Sequence, residues 1–458
     1  MKKELVFLAY LLLIVLATPF SASWPVKIVF WGFSLFLYWI LTADLGFRIY
    51  DLRFNRWWLL LPLAILITSR LLPFFHWGDF PLGADAAIYL KDYFLPPLII
   101  YSLYLVSNFL LAAAVYFLVK KNYGREAAFF SLLIFSLSLS QFLFYWAFLP
   151  KMMLGAIFTL IAFYFLKDKP WLAAGAIALT GIVHPPAFLP LFITTVFFLP
   201  LKALLALILV LLARGQELLS ALYYSEQYLR GAPETAFLFS GQFVDFDFYA
   251  GLLGLLYIPF AAIAVTRMIQ SKKITPLVLY FLICLILIFT NFLFHNRFII
   301  LFDLAAIILA GPILKDFVLW LWQSRLGKLA VVIVIVIVTA NAFYQSWLTE
   351  PLINSQELTE IKSLAKLDPE AMIVAGDNLY YSVLYGFSSH KVITSGELNG
   401  LSAKIPAYIY LGRRTKDKEK VIHRLELLLS QNNKIIKVSE KNEALYRITT
   451  EPTGGTSD

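Results

Sequence analysis

Apolar runs recur through the first three quarters of this chain, each about 17 to 25 residues long and able to cross a hydrocarbon core of about 30 Å. In lipid such runs must be helices, because an open strand leaves its backbone groups without partners. The chain is 60% hydrophobic and 15% charged, whereas a soluble domain carries charge on about a quarter of its residues. Spans fall near 5–22, 26–43, 57–74, 98–119, 126–148, 152–166, 170–184, 186–200, 201–213, 249–266, 275–294, 297–314 and 328–346. The pair 186–200 and 201–213 can also be read as one bent span. The fold class expected is an α-helical polytopic membrane protein of about 13 transmembrane helices.

The formal net charge is +9. Residues 347–458 are neutral, so the whole excess sits in residues 1–346. That placement argues for a rule of membrane topology and against nucleic acid as a partner. The connecting segments alternate. One set holds Lys2, Lys3, Arg48, Arg53, Arg56, Lys120, Lys121, Arg125, Lys167, Lys169, Lys202, Arg267, Lys272, Lys273, Lys315, Arg325 and Lys328. The other holds only Lys27, Arg70, Lys91, Lys151, Arg214, Arg230 and Arg297. Positive-inside bias then puts the amino terminus in the cytoplasm and the carboxyl-terminal part outside. Lys2, Lys3, the following apolar core and Ser21–Ala22–Ser23 also fit a cleaved signal peptide, which would remove one span and leave the sidedness of the rest unchanged. The single cysteine, Cys284, lies within an apolar run and excludes an intrachain disulfide.

Three parts are expected: a membrane domain over 1–346, an extracytoplasmic α/β domain over 347–452, and a polar tail over 453–458. Strands are predicted at 371–375, 392–394, 407–411, 435–438 and 444–448, with helices at 380–387 and 417–431.

The chain carries no phosphate-binding loop, no GxGxxG opening a helix, no nucleophile elbow, no HExxH and no paired CxxC. Polar residues gather instead at the outer face. Asp79 and Asp85 stand six residues apart, with Gly83 and Pro81 between them, in the loop after the third span. A carboxylate beside apolar helix ends is suited to a general base; the plain alternative is a solvated loop with Asp85 capping a short helix at 86–92. Lys151, His184, His295 and Arg297 lie at outer ends of spans, where cations suit a lipid phosphate or simply anchor helix ends. The long outer segment 214–251 carries Glu217, Tyr223, Tyr224 and Arg230. Tyrosines at such positions also serve as interfacial belts. Asp303 is the one charge well inside a span, where an ion-coupled transporter usually needs several.

Taken in order, these features resemble the GT-C superfamily of membrane glycosyltransferases, which includes protein mannosyltransferases, aminoarabinose transferases of lipid A and the oligosaccharyltransferase catalytic subunit. The resemblance rests on Gly83–Ala84–Asp85 with Tyr89, on the stretch from Lys151 through Gly181 to His184–Pro185, on Asn296–Arg297–Phe298, and on Asp377 with Tyr380–Tyr381. It departs from the family in two respects. The first outer loop, 19–27, contains no acid, which implies two added amino-terminal spans, and side-by-side acidic residues are missing. The resemblance implies a polyprenyl-phosphate-linked sugar as donor and a glycan, lipid or protein as acceptor. Asp85, with Asp79 second, would be the base of an inverting transfer. Arg297, Lys151, His184 and His295 would hold the departing phosphate, while Glu217, Tyr223, Tyr224 and Arg230 lie in a loop closing over the donor. No metal is expected, although some members use a divalent ion. The competing readings are a lipid-linked glycan flippase or other transporter, a polysaccharide polymerase or ligase, and a non-catalytic receptor.

Overall fold

The computed structural model describes residues 56–77, 97–229, 252–290, 295–351, 353–376, 378–394, 406–413, 415, 418–428, 433–439 and 442–450. The two expected amino-terminal spans, the possible signal peptide, Asp377 and the tail 453–458 lie outside them. The apolar part folds into α1 (Leu60–Trp77), α2 (Pro97–Tyr123), α3 (Arg125–Leu137), α4 (Leu139–Trp146), α5 (Pro150–Phe165) and α6 (Pro170–Val183). It continues with α7 (Pro185–Phe198), α8 (Pro200–Leu229), α9 (Leu252–Gln270), α10 (Pro276–Phe289), α11 (His295–Leu321) and α12 (Arg325–Leu348). Proline opens α2, α5, α6, α7, α8 and α10. Its fixed φ suits the first helical turn, its missing N–H costs nothing there, and it forces the preceding residue out of helix. The stretch 186–213 is therefore two helices parted at Pro200.

Four described helices are long and apolar enough to cross a membrane: α1, α2, α11 and α12. The pair α3 and α4, bent by 56°, makes a fifth if taken as one span. Helices α6, α7 and α10, expected as full spans, are apolar but have 14 residues each, which is about 21 Å of helix.

Two units separate, one holding Leu105–Tyr145 and Pro150–Thr349 with α1 as far as His76. Its centre is α11, against which α3, α9 and α10 pack. Asp303 is fully buried on α11 and draws three donors. The Tyr257 hydroxyl of α9 donates to Oδ1. Ser138 Oγ and Gln141 Nε2 donate to Oδ2 at 3.0 and 2.8 Å. Ser138 is the break between α3 and α4, and its Oγ also accepts the Gln141 N–H at 3.2 Å, so it caps α4 while bonding the carboxylate. One turn further along α4, Arg70 of α1 is buried over the rings of Phe142 and Tyr145 at 5.5 and 5.9 Å. It also donates to Ser69 Oγ at 3.0 Å. Read from the sequence as a basic residue of the outer connections, Arg70 is instead interior, its charge facing two aromatic rings.

The second unit includes Trp146–Leu149 and the residues after Glu350. There α13 (Ser355–Ser363) precedes β1 (Met372–Ala375), α14 (Asn378–Phe387), β2 (Lys391–Thr394), β3 (Ala407–Tyr410), α15 (Lys418–Leu428), β4 (Asn433–Ser439) and β5 (Asn442–Thr450). The sheet order is β2-β1-β3-β5-β4, with β2, β1 and β3 parallel and β5 antiparallel to β3 and β4. All the strands and both helices predicted in this region are present, and α13 is an addition. Its buried Glu357 accepts from the Tyr380 hydroxyl and the Arg413 N–H, at 2.5 and 2.7 Å, tying α13 and α14 to the turn after β3. Tyr380 reaches Glu357 across Gly412, where a Cβ would stand 2.0 Å from the ring.

Close packing on α11 generates the first prediction. A Cβ at Gly311 would meet Ser131 Oγ of α3 at 1.9 Å and the Ala127 carbonyl at 2.9 Å. Gly311→Ala should cost about 1–3 kcal/mol, read as a lower unfolding temperature in detergent. Adding Ser131→Ala should restore only part of the loss, since the backbone oxygen stays in place. Full recovery would show that the carbonyl contact is unimportant.

Candidate anion site at three helix starts

The segment His184–Pro185–Pro186 cannot continue α6, because Pro185 disfavours helical backbone at His184 and neither proline has an N–H to donate to the α6 carbonyl groups. α6 therefore ends and α7 begins around one residue. The His184 N–H donates to the Thr180 carbonyl at 2.8 Å, closing α6, while its Nδ1 accepts the Ala187 N–H at 3.2 Å, capping α7. With Nδ1 accepting, the neutral ring carries its proton on Nε2.

Arg297 stands in the first turn of α11, half-buried, with Nη1 3.4 Å from His184 Nε2. In this tautomer both atoms are donors, so the pair sets two donor groups side by side. Lys151 is in the first turn of α5, and it and Arg297 are the charges that act on the His184 ring. Gly155 follows Lys151 by one turn on the same helix face. A Cβ there would come within 2.9 Å of His184 Cβ and 3.3 Å of Ala187 Cβ. That glycine lets the start of α5 close onto the start of α7. Arg214, at a kink in α8, donates from Nε to the Ile182 carbonyl at 2.9 Å and so satisfies the carboxyl end of α6 beside the same junction.

The starts of α5, α7 and α11 thus come together around His184, each with the positive end of its dipole. Each brings one side chain, Lys151, His184 or Arg297. Such a convergence is chemically fitted to an anion with several oxygens, the guanidinium offering paired donors and the ammonium a point charge.

The remaining predicted residues fall differently. Asp79, Asp85 and Arg230 lie outside the described residues. His295 begins α11, two residues before Arg297, with no description of its side chain. Glu217, Tyr223 and Tyr224 lie in the second half of α8, of whose side chains nothing is described. The segment expected as a loop from 214 is therefore helical through Leu229. Its run Gln216–Glu217–Leu218–Leu219–Ser220–Ala221–Leu222 is made largely of good helix formers. Among the described residues no three metal-ligating side chains gather. Gly155 carries no sequence signal of its place here, Arg214 reads in the sequence as a basic residue of an outer connection, and Asp303 as a lone charge without its partners. The proline pair after His184 was the only local signal of the junction.

No family model matches this chain, and no curated protein matches it either.

The tautomer is open to test. In 15N-labelled protein in detergent, His184 should show a protonated Nε2 and an unprotonated Nδ1 at neutral pH. A proton on Nδ1 would instead make Nε2 an acceptor for Arg297 and remove the paired donors.

Proposed function

We propose that this chain is a membrane glycosyltransferase of about 13 spans that takes a sugar from a polyprenyl-phosphate donor at the extracytoplasmic face. The one observation that supports this best is the meeting of Lys151, His184 and Arg297 at three helix starts. A departing lipid phosphate needs its growing negative charge stabilised by donors already in place, and such preorganisation is usually the largest contribution to catalysis of this kind. In this reading Asp85, with Asp79 second, removes the proton from the acceptor hydroxyl as its oxygen attacks the anomeric carbon. The bond to phosphate breaks in the same step, and the configuration inverts. In this reading the amino terminus is cytoplasmic and the carboxyl-terminal domain extracytoplasmic, which the uneven distribution of Lys and Arg between alternate connections supports. The acceptor is a glycan, lipid or protein hydroxyl.

A second reading, a transporter of lipid-linked glycans, draws on a different observation. Arg70 and Asp303 are both buried among helices, beside a bent span, and such groups often mark translocation paths.

The test is release of free polyprenyl phosphate from a panel of polyprenyl-phosphate sugars by purified protein with acceptor present. Asp85→Asn should lower turnover by about 10²–10⁴ fold and Arg297→Ala by about 10²–10³ fold, both with the unfolding temperature of the wild type. Release undiminished by Asp85→Asn moves the base to Asp79 or elsewhere. No release from any donor, together with movement of labelled lipid across a vesicle wall, sinks the transferase reading in favour of the transporter.

A further inference from the structure

The ends of the helices away from Lys151 carry a second concentration of cations. Three turns are involved: α2 to α3 with Lys120, Lys121 and Arg125, α5 to α6 with Lys167 and Lys169, and α7 to α8 with Lys202. They form one face. Lys121 pairs with Asp168 and donates to the Tyr164 carbonyl, joining the first turn to the second. Lys202 lies 3.0 Å over the centre of the Trp171 ring, joining the third to the second. The hydrogen bond from Lys121 holds the Asp168 carboxyl below its ordinary range, and the charges of Lys121, Lys167 and Lys169 push it the same way. Six cations thus stand against two acids, Asp168 and Glu126.

Apolar surface adjoins these charges. Trp171 and Leu172, at the start of α6, are 64% and 52% exposed, and Lys120, Lys121 and Lys169 lie over Tyr116, Tyr164 and Phe165. The combination of ammonium groups in excess with aromatic and aliphatic side chains one turn deeper matches one occupant. That occupant is a lipid whose phosphate is negative and whose acyl chains begin just below it.

We infer that the face made by Lys120, Lys121, Lys167, Lys169 and Lys202 with Trp171 binds the headgroup of an anionic phospholipid of the surrounding bilayer. Along α5 it lies beyond Phe165, 14 residues from Lys151, about 21 Å of helix, and so is separate from the anion site at the helix starts. It holds whether the protein is a transferase or a transporter. Lys169 and Lys202 carry its specificity, since they flank Trp171, and their rings keep the ammonium groups at the headgroup level.

The experiment uses the full chain in neutral detergent, titrated with phosphatidylglycerol or phosphatidylcholine while bound lipid is counted by native mass spectrometry. Phosphatidylglycerol should bind more tightly. The double variant Lys169→Gln, Lys202→Gln should weaken it by about fivefold for each lysine lost, with no change for phosphatidylcholine. The charge-keeping double variant Lys169→Arg, Lys202→Arg should retain the preference, which separates lost binding from lost folding. Lys272→Gln with Lys273→Gln, in the α9 to α10 turn, should leave it unchanged. Equal affinity for the two lipids, or equal loss from both pairs of glutamine substitutions, would overturn the assignment.

Discussion

The buried carboxylate of Asp303 is the constraint from which the arrangement of the helical unit follows. An ionisable group inside an apolar bundle is costly unless its oxygens are bonded. Here Tyr257 brings in α9, and Ser138 and Gln141 bring in the junction of α3 with α4. The bend at Ser138 is therefore a consequence of the same bonding. A hydroxyl that caps α4 while donating to Asp303 is placed correctly only where α3 has stopped. Removing the carboxylate would take the shared acceptor from three buried donors at once, leaving Gln141 the longer bond to the Ile300 carbonyl at 3.3 Å and Ser138 and Tyr257 their mutual contact at 3.2 Å.

With α11 held in this way, Arg297 at its first turn is delivered to a fixed place. The chain meets it there with a second device, a histidine that closes one helix and opens the next. Backbone bonds at both ends of His184 leave its ring little freedom. Gly155 brings the start of α5, with Lys151, against the same ring. Precision at this junction comes from secondary structure and one absent side chain, and long flexible cations need only complete it. Sites carried on helix ends hold their geometry better than sites on loops.

Much of the carboxyl-terminal unit was legible from the sequence because each element declares itself locally. A short apolar run marks β3, apolar residues set between polar ones mark β4 and β5, and amphipathic spacing marks α15. The helix α13 was passed over although Asn354 and Glu357 have the spacing of a capping box, a signal that was there to be read. In the apolar unit the local signals are prolines, which place helix starts accurately. What no local pattern carries is facing. Arg70 looks like a residue at a span end, because a lipid-facing side and a protein-facing side of one helix are equally apolar. Gly155 and Gly311 look like any small residue of a membrane helix until the neighbour they admit is known. The Asp303 network joins residues 46 to 165 positions apart, beyond the reach of any periodicity.

The same helices also explain why two kinds of basic residue lie at their two ends. Where α5, α7 and α11 start, the positive dipole ends and the side chains of exposed Lys151 and half-buried Arg297 add around the buried His184, an arrangement fitted to a multivalent anion. Where α2, α5 and α7 end, Lys120 and Lys121 in the last turn of α2 complement its carbonyl groups, while Lys169 and Lys202 stand at the starts of α6 and α8. Lys202 lies on the exposed ring of Trp171, and Lys120, Lys121 and Lys169 lie on half-buried rings. A discrete phosphate demands the first arrangement, and a fluid layer of headgroups is met by the second. The chain's successive turns therefore part the cations into two groups, one gathered around His184 and fitted to a discrete anion, the other spread over three neighbouring turns and fitted to lipid headgroups.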